Sequence, residues 1–83
     1  MRNHEDIRSF YQSLTPRQRE VVALVTRGKT NRQIAGELHI EPSVVAEHLT
    51  NIYDRVHLFM GVSRTPRPNR VMVASLFAPM LLH

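Results

Sequence analysis

The stretch Thr30–Val56, TNRQIAGELHIEPSVVAEHLTNIYDRV, carries the pattern that decides the fold. It opens on Thr30 and Gln33, a Thr-x-x-Gln box. In such a box the hydroxyl accepts from the backbone N–H three residues on, and the glutamine side chain reaches back to the cap. Ile34, Ala35 and Leu38 then give a short helix its apolar side. That helix ends quickly, because His39-Ile40-Glu41-Pro42 interrupts it and Pro42 fits only at the start of the next one. Beyond it Val45, Leu49, Ile52 and Val56 recur at helical spacing as one stripe. A second helix is therefore expected from about Pro42 to Val56. A short and a longer helix joined by a three-residue turn have the spacing of a helix-turn-helix.

Helical punctuation continues on both sides. Upstream, Thr15, Pro16 and Gln18 repeat the box with proline in the first turn, Val21, Val22, Leu24 and Val25 follow, and Gly28 is a natural left-handed stop. Further upstream Ile7, Phe10, Tyr11 and Leu14 fall on one helical face, with Asn3 placed to cap it. Downstream, His57-Leu58-Phe59-Met60 can lengthen the long helix before Gly61, and Pro66 and Pro68 force an irregular link. A last helix is expected from roughly Asn69 to Ala78, closed by Pro79. No segment shows sustained strand alternation. The expected fold class is all-α, a small four- to five-helix domain containing a helix-turn-helix.

Composition narrows the function. The chain has 83 residues, enough for one small core, and no cysteine, so neither disulfides nor thiolate metal sites hold it. The net charge is +4, carried by ten arginines and a single lysine, Lys29. Such an excess favours a polyanionic partner such as nucleic acid. The longest apolar run, Val71 to Leu82, contains Ser75 and Pro79 and is too short to span a bilayer. The start, Met1 to Asp6, is polar and unlike a signal peptide. A cytoplasmic protein is expected, on the nucleoid when bound. His4, His39, His57 and His83 show no metal-ligand spacing, and Glu47-His48 lacks the second ligand pair of a His-Glu-x-x-His site. No nucleophile is paired with a base, and no glycine-rich phosphate loop occurs, so no catalytic residue, cofactor, metal or small-molecule ligand is assigned.

The run Leu14-Thr15-Pro16-Arg17-Gln18-Arg19-Glu20-Val21, with Gly28, Thr30-Asn31-Arg32-Gln33-Ile34-Ala35, Leu38, Ile40, Val45, His48-Leu49 and Asn51-Ile52-Tyr53, resembles the LuxR/GerE-type helix-turn-helix domains of bacterial transcription factors. The resemblance covers about Leu14 to Val56. It implies a four-helix domain that binds promoter DNA, usually as a homodimer formed through its last helix. On that reading residues 1–13 are an N-terminal helical extension and 14–83 the domain proper. Most such domains follow a receiver or ligand-binding domain, so the chain is expected to be either a stand-alone regulator, which its polar start favours, or a fragment of a longer one. The chain departs from the family pattern at His57-Leu58-Phe59-Met60 and at Thr65-Pro66-Arg67-Pro68, both beside the element that dimerises relatives.

If Val45, Leu49, Ile52 and Val56 face inward, Ser43, Ala46, Glu47, Thr50 and Asp54 form the outward stripe. Family members commonly read bases from the positions of Ala46, Glu47 and Thr50 and carry lysines at those of Ser43 and Ala46. Here the stripe has no cation. Two readings stay open. In one, Glu47 accepts from a cytosine amino group, Ala46 or Thr50 meets a thymine methyl, and Ser43 bonds a nearby edge or phosphate. Phosphates are then held by Arg17, Lys29, Thr30, Asn31, Arg32, Asn51 and Arg55. In the other, the scaffold has lost DNA binding and serves protein interaction or dimerisation.

Some residues carry competing roles. Glu20 matches a family position that orients the helix-turn-helix, yet also reads as a solvated acid. His48 reads as a packed structural residue. Arg64, Arg67 and Arg70 form a spaced basic run, solvated or touching flanking phosphates. The apolar face of the last helix is larger than a small domain needs. Val73, Leu76, Phe77 and Met80 are assigned to a homodimer interface, against the simpler reading that this face closes the core on Phe10 and Tyr11.

Overall fold

A computed structural model describes residues 4–61 and 67–82. Five helices account for nearly all of them: α1 (His4–Ser13), α2 (Pro16–Thr26), α3 (Asn31–Leu38), α4 (Pro42–Met60) and α5 (Arg70–Leu81). The domain is all-α, as expected. Asn3, read as the cap of the first helix, lies outside the described residues, as does Arg64.

Local chemistry sets the helix boundaries. Thr15 Oγ1 accepts from Gln18 N at 3.1 Å and Gln18 Oε1 accepts from Thr15 N at 3.0 Å, a complete capping box for α2. Gly28, at φ +82°, stops that helix. Its N–H donates to Val25 O at 2.9 Å and the N–H of Lys29 donates to Leu24 O at 3.1 Å, the paired bonds of a Schellman closure. Thr30 and Gln33 repeat the box for α3, at 3.1 and 2.9 Å. α3 ends on His39, which takes the left-handed conformation at φ 57° without being glycine. Ile40 N–H closes the turn on Ala35 O at 3.1 Å. Nothing in the sequence marked His39 for that conformation.

α4 runs past Val56 through His57–Met60, the extension the sequence left open, and Gly61 at φ 64° ends it. The extra turn is held by packing: the Phe59 ring stacks on Phe10 at 4.3 Å between centroids. α5 is capped by Asn69, whose Oδ1 accepts from Met72 N at 2.9 Å, and it continues past the expected end at Ala78, through Pro79 to Leu81. Pro79 removes one hydrogen bond from a last turn that is already ending, so it does not close the helix where an interior proline would.

The core is shared by all five helices. Ile7, Phe10 and Leu14 join Val21, Val22, Val25, Ile34, Ala35, Val45, Leu49, Ile52, Val56, Val73 and Phe77 as its buried residues. α2 packs against α3, α4 and α5, α3 packs against α4, and α1 packs against α5. The aromatic link is Phe77, whose ring lies 5.9 Å from Phe10 and 5.7 Å from Tyr11. Burial pushes the Tyr11 phenol above its ordinary pKa, against a smaller opposing effect of the Arg19 charge. Among the described residues no helix is long and apolar enough to cross a membrane.

Candidate nucleic-acid interface

The α3–α4 pair presents its outer surface because the inner one is committed to the core. Val45, Ile52 and Val56 are wholly buried and Leu49 is 3% exposed. Helical geometry then turns the opposite residues outward. Ser43, Ala46, Glu47, Thr50 and Asp54 are all exposed. The Thr50 hydroxyl donates to Ala46 O at 3.1 Å, so it has its methyl and lone pairs to offer a partner. Asp54 is paired with Arg67. Glu47, by contrast, forms no ion pair among the described residues and stands as the bare charge of the stripe.

Cations gather at the other end of the motif. Lys29, Thr30, Asn31 and Arg32 form the turn leading into α3, where the first N–H groups and the helix dipole favour an anion. Arg32 is exposed and has no ion-pair partner among the described residues. Lys29 Nζ lies 3.9 Å from Glu37 Oε2, with the side chains 40% and 49% exposed. A pair so open contributes at most about 1 kcal/mol and yields to a phosphate. Arg17 and Glu20 make a similar exposed contact at 3.6 Å on α2. Both members sit on one helix, so Glu20 behaves as a solvated acid rather than as a brace between helices. His48 is half-buried beside the stripe.

Three assigned side chains sit differently from the sequence reading. Arg55 points to α1, donating to Ser13 Oγ at 2.8 Å with its guanidinium 5.7 Å from the Phe10 ring centroid. That placement gives it a structural task. Val73 and Phe77 are 0% exposed, inside the chain's own core, and have no surface left for a partner. Leu76 and Met80 are only partly covered, packing at the margin of the core. Val71 on the same helix is 73% exposed, and Leu82, just past its end, is 52% exposed. Asn51 is exposed as expected.

Arg70 is the residue whose part the sequence concealed. As one of three spaced arginines it reads as solvated or as touching flanking phosphates. It is half-buried instead, with Nη1 donating to Asn31 Oδ1 at 2.8 Å and Nη2 donating to Lys29 O at 2.8 Å. The partners lie 39 and 41 residues away in the chain, so no local signal could have named them. Arg19 was missed likewise: its Nη1 donates to Leu14 O at 2.7 Å and Gln12 O at 3.1 Å, holding the end of α1. Among the described residues no cluster of histidine and carboxylate side chains could hold a metal ion.

Comparison with known proteins fits this arrangement. Residues 12–58 match the family described as bacterial regulatory proteins, luxR family. The transcriptional regulatory protein SgaR of Hyphomicrobium methylovorum is 39% identical over 74 residues, which are 89% of this chain and 29% of SgaR. LiaR of Bacillus subtilis, a transcriptional regulatory protein, is 41% identical over 46 residues, 55% of this chain and 22% of LiaR. The HTH-type transcriptional regulator Rv0890c of Mycobacterium tuberculosis is 46% identical over 46 residues, 55% of this chain and 5% of its own length. The chain thus spans less than a third of each of these relatives. No solved structure gives a significant match. With a matched segment that runs from the end of α1 to the last turns of α4, the chain belongs to the LuxR family of bacterial regulatory proteins.

Proposed function

We propose that this domain binds double-stranded DNA with sequence preference and regulates bacterial transcription, with α4 in the major groove. The observation that carries this reading is the exposed face of α4 beside a cationic, N–H-rich turn at the start of α3. Recognition helices of helix-turn-helix proteins contact base edges with their N-terminal residues. Ser43, Ala46, Glu47 and Thr50 occupy that half of α4. Lys29, Thr30, Asn31 and Arg32, with Arg17 and Asn51 at the flanks, hold the backbone. Leu76 and Met80, with Val71 and Leu82, are what α5 can give to a homodimer on a two-fold-related site. Cytoplasmic residence and a lack of small-molecule or metal requirement belong to the same proposal.

A second reading, an interaction module without DNA binding, is favoured by the uncompensated carboxylate of Glu47. Fluorescence anisotropy with a random duplex at several salt concentrations separates the two. The DNA reading expects log K to fall with log salt at about −2.7 per domain, roughly −0.9 for each of Arg17, Lys29 and Arg32. Arg32→Ala should flatten the slope by about 0.9 and weaken all duplexes alike. No shift at micromolar protein in low salt would establish the interaction module instead.

A further inference from the structure

We infer that Arg70 is a positioning residue for phosphate binding: from α5 it fixes the backbone of Lys29 and the amide of Asn31 so that both face the DNA correctly. This role rests on the DNA-binding reading above. The guanidinium reaches two acceptors at once, Asn31 Oδ1 and Lys29 O, each at 2.8 Å. Both lie in the turn that starts α3, and Arg70 is itself the first residue of α5. A planar fork of donors suits such a two-point hold, whereas a lysine ammonium does not reproduce it.

The consequence for Asn31 is chemical. An amide has an acceptor end and a donor end. Arg70 occupies the oxygen, so the amide can rotate no further, and Nδ2 with its two N–H groups is turned away from the arginine. Those donors, beside the first N–H groups of α3, are what a phosphate oxygen requires. With the oxygen outward instead, the same side chain would repel the phosphate. The bond to Lys29 O acts in parallel, because it sets where the lysine side chain leaves the turn. Arg70 needs no contact with DNA to do this. It also joins the helix assigned to the second copy directly to the turn assigned to the phosphate.

Arg70→Lys tests the role at constant net charge. Anisotropy against a random duplex should show about tenfold weaker binding, since two charge-assisted hydrogen bonds are lost. The salt slope should flatten by about 0.9 as the Lys29 contact fails. Asn31→Ala in the Arg70→Lys background should weaken binding by less than about twofold more, because the two substitutions disable one device. Circular dichroism at the assay temperature reads folding separately; a purely structural Arg70 lowers Tm and leaves the slope intact. Asn31→Asp gives a second route that keeps the acceptor for Arg70. It should hold or raise Tm while binding falls about tenfold. Wild-type affinity and slope in Arg70→Lys, multiplicative losses in the double variant, or unchanged binding by Asn31→Asp would each overturn the role. A wild-type chain that binds no duplex would fail the functional reading itself, a different and separately visible result.

Discussion

Glu47→Ala should change sign with the duplex on which it is measured. The carboxylate is exposed on the outward stripe of α4 and forms no ion pair among the described residues, so removing it breaks no bond within the domain. Alanine is also the better helix former, which keeps α4 intact. On non-specific DNA the only effect is the loss of one negative charge near phosphates. At a separation of about 7 Å in water that repulsion is about 0.6 kcal/mol, so affinity should rise two- to threefold. On a duplex selected by the wild-type domain, the proposed base reading has the carboxylate accept from a cytosine amino group. Losing that contact costs about 1 to 3 kcal/mol, a weakening of roughly fivefold to more than a hundredfold. The assay is anisotropy at one salt concentration with two labelled duplexes, one enriched from a random library by the wild-type domain and one scrambled. Opposite changes support base reading by α4. A rise of two- to threefold on both would show that Glu47 repels DNA everywhere and reads nothing, and the specificity assigned to this helix would fall with it.

Arg55→Ala should lower Tm by roughly 5 °C or more, since an exposed hydrogen bond and a cation–π contact together contribute about 1 kcal/mol in a domain of this size. It should leave the salt slope unchanged; flattening by about 0.9 would return Arg55 to the phosphate contacts. Phe10→Ala should cost about 3 kcal/mol in urea unfolding followed by circular dichroism, because the ring is buried between Phe59 and Phe77. A loss below about 1 kcal/mol would make α1 an appendage rather than part of the core. His39→Gly should raise Tm by roughly 2 to 4 °C: relief of about 1 to 2 kcal/mol of left-handed strain exceeds the added chain entropy of about 0.5 to 1 kcal/mol. Calorimetry showing no rise would mean that the turn holds His39 without strain.

The sequence made the helix-turn-helix legible because its determinants are local. Two Thr-x-x-Gln boxes, Gly28, Pro42 and the stripe Val45–Leu49–Ile52–Val56 each act within a few residues of themselves, and all four fold as they read. Burial on one side of α4 then fixes exposure on the other, so Ser43, Ala46, Glu47 and Thr50 could be placed before any coordinates. What stayed hidden depends on distant partners. Arg55 and Arg70 are each an arginine in a polar setting, and only the approach of α4 to α1, and of α5 to the α3 turn, decides that one braces α1 and the other holds that turn. Val73 and Phe77 read as surplus apolar surface because the aromatic cluster they complete is drawn from α1 and the end of α4. His39 escaped for a subtler reason. The turn geometry demands a left-handed residue, and the chain supplies one of low preference whose cost is absorbed by the bonds on either side.

The two ends of α4 therefore differ in how far they are tied to the rest of the domain. From Ser43 to Thr50 the outward side chains touch little of the domain, so their identity is free to follow a DNA sequence. From Ile52 onward the helix is increasingly committed to the fold: Asp54 to Arg67, Arg55 to Ser13 and Phe10, Phe59 to Phe10. The turn His57–Met60 is long enough to bring Phe59 onto α1, a contact that adds to the packing of Phe10 and Tyr11 on Phe77 of α5. Lengthening the helix at that end does not alter which residues lie at its N-terminal half, where a groove-bound helix meets base edges. The turn at 57–60 thus braces the domain and leaves the outward residues of the N-terminal half untouched. It follows that replacing Ser43, Ala46, Glu47 and Thr50 together should respecify the bound sequence at nearly constant stability. Replacing Arg55 and Phe59 should do the reverse, costing stability while the preferred sequence is retained.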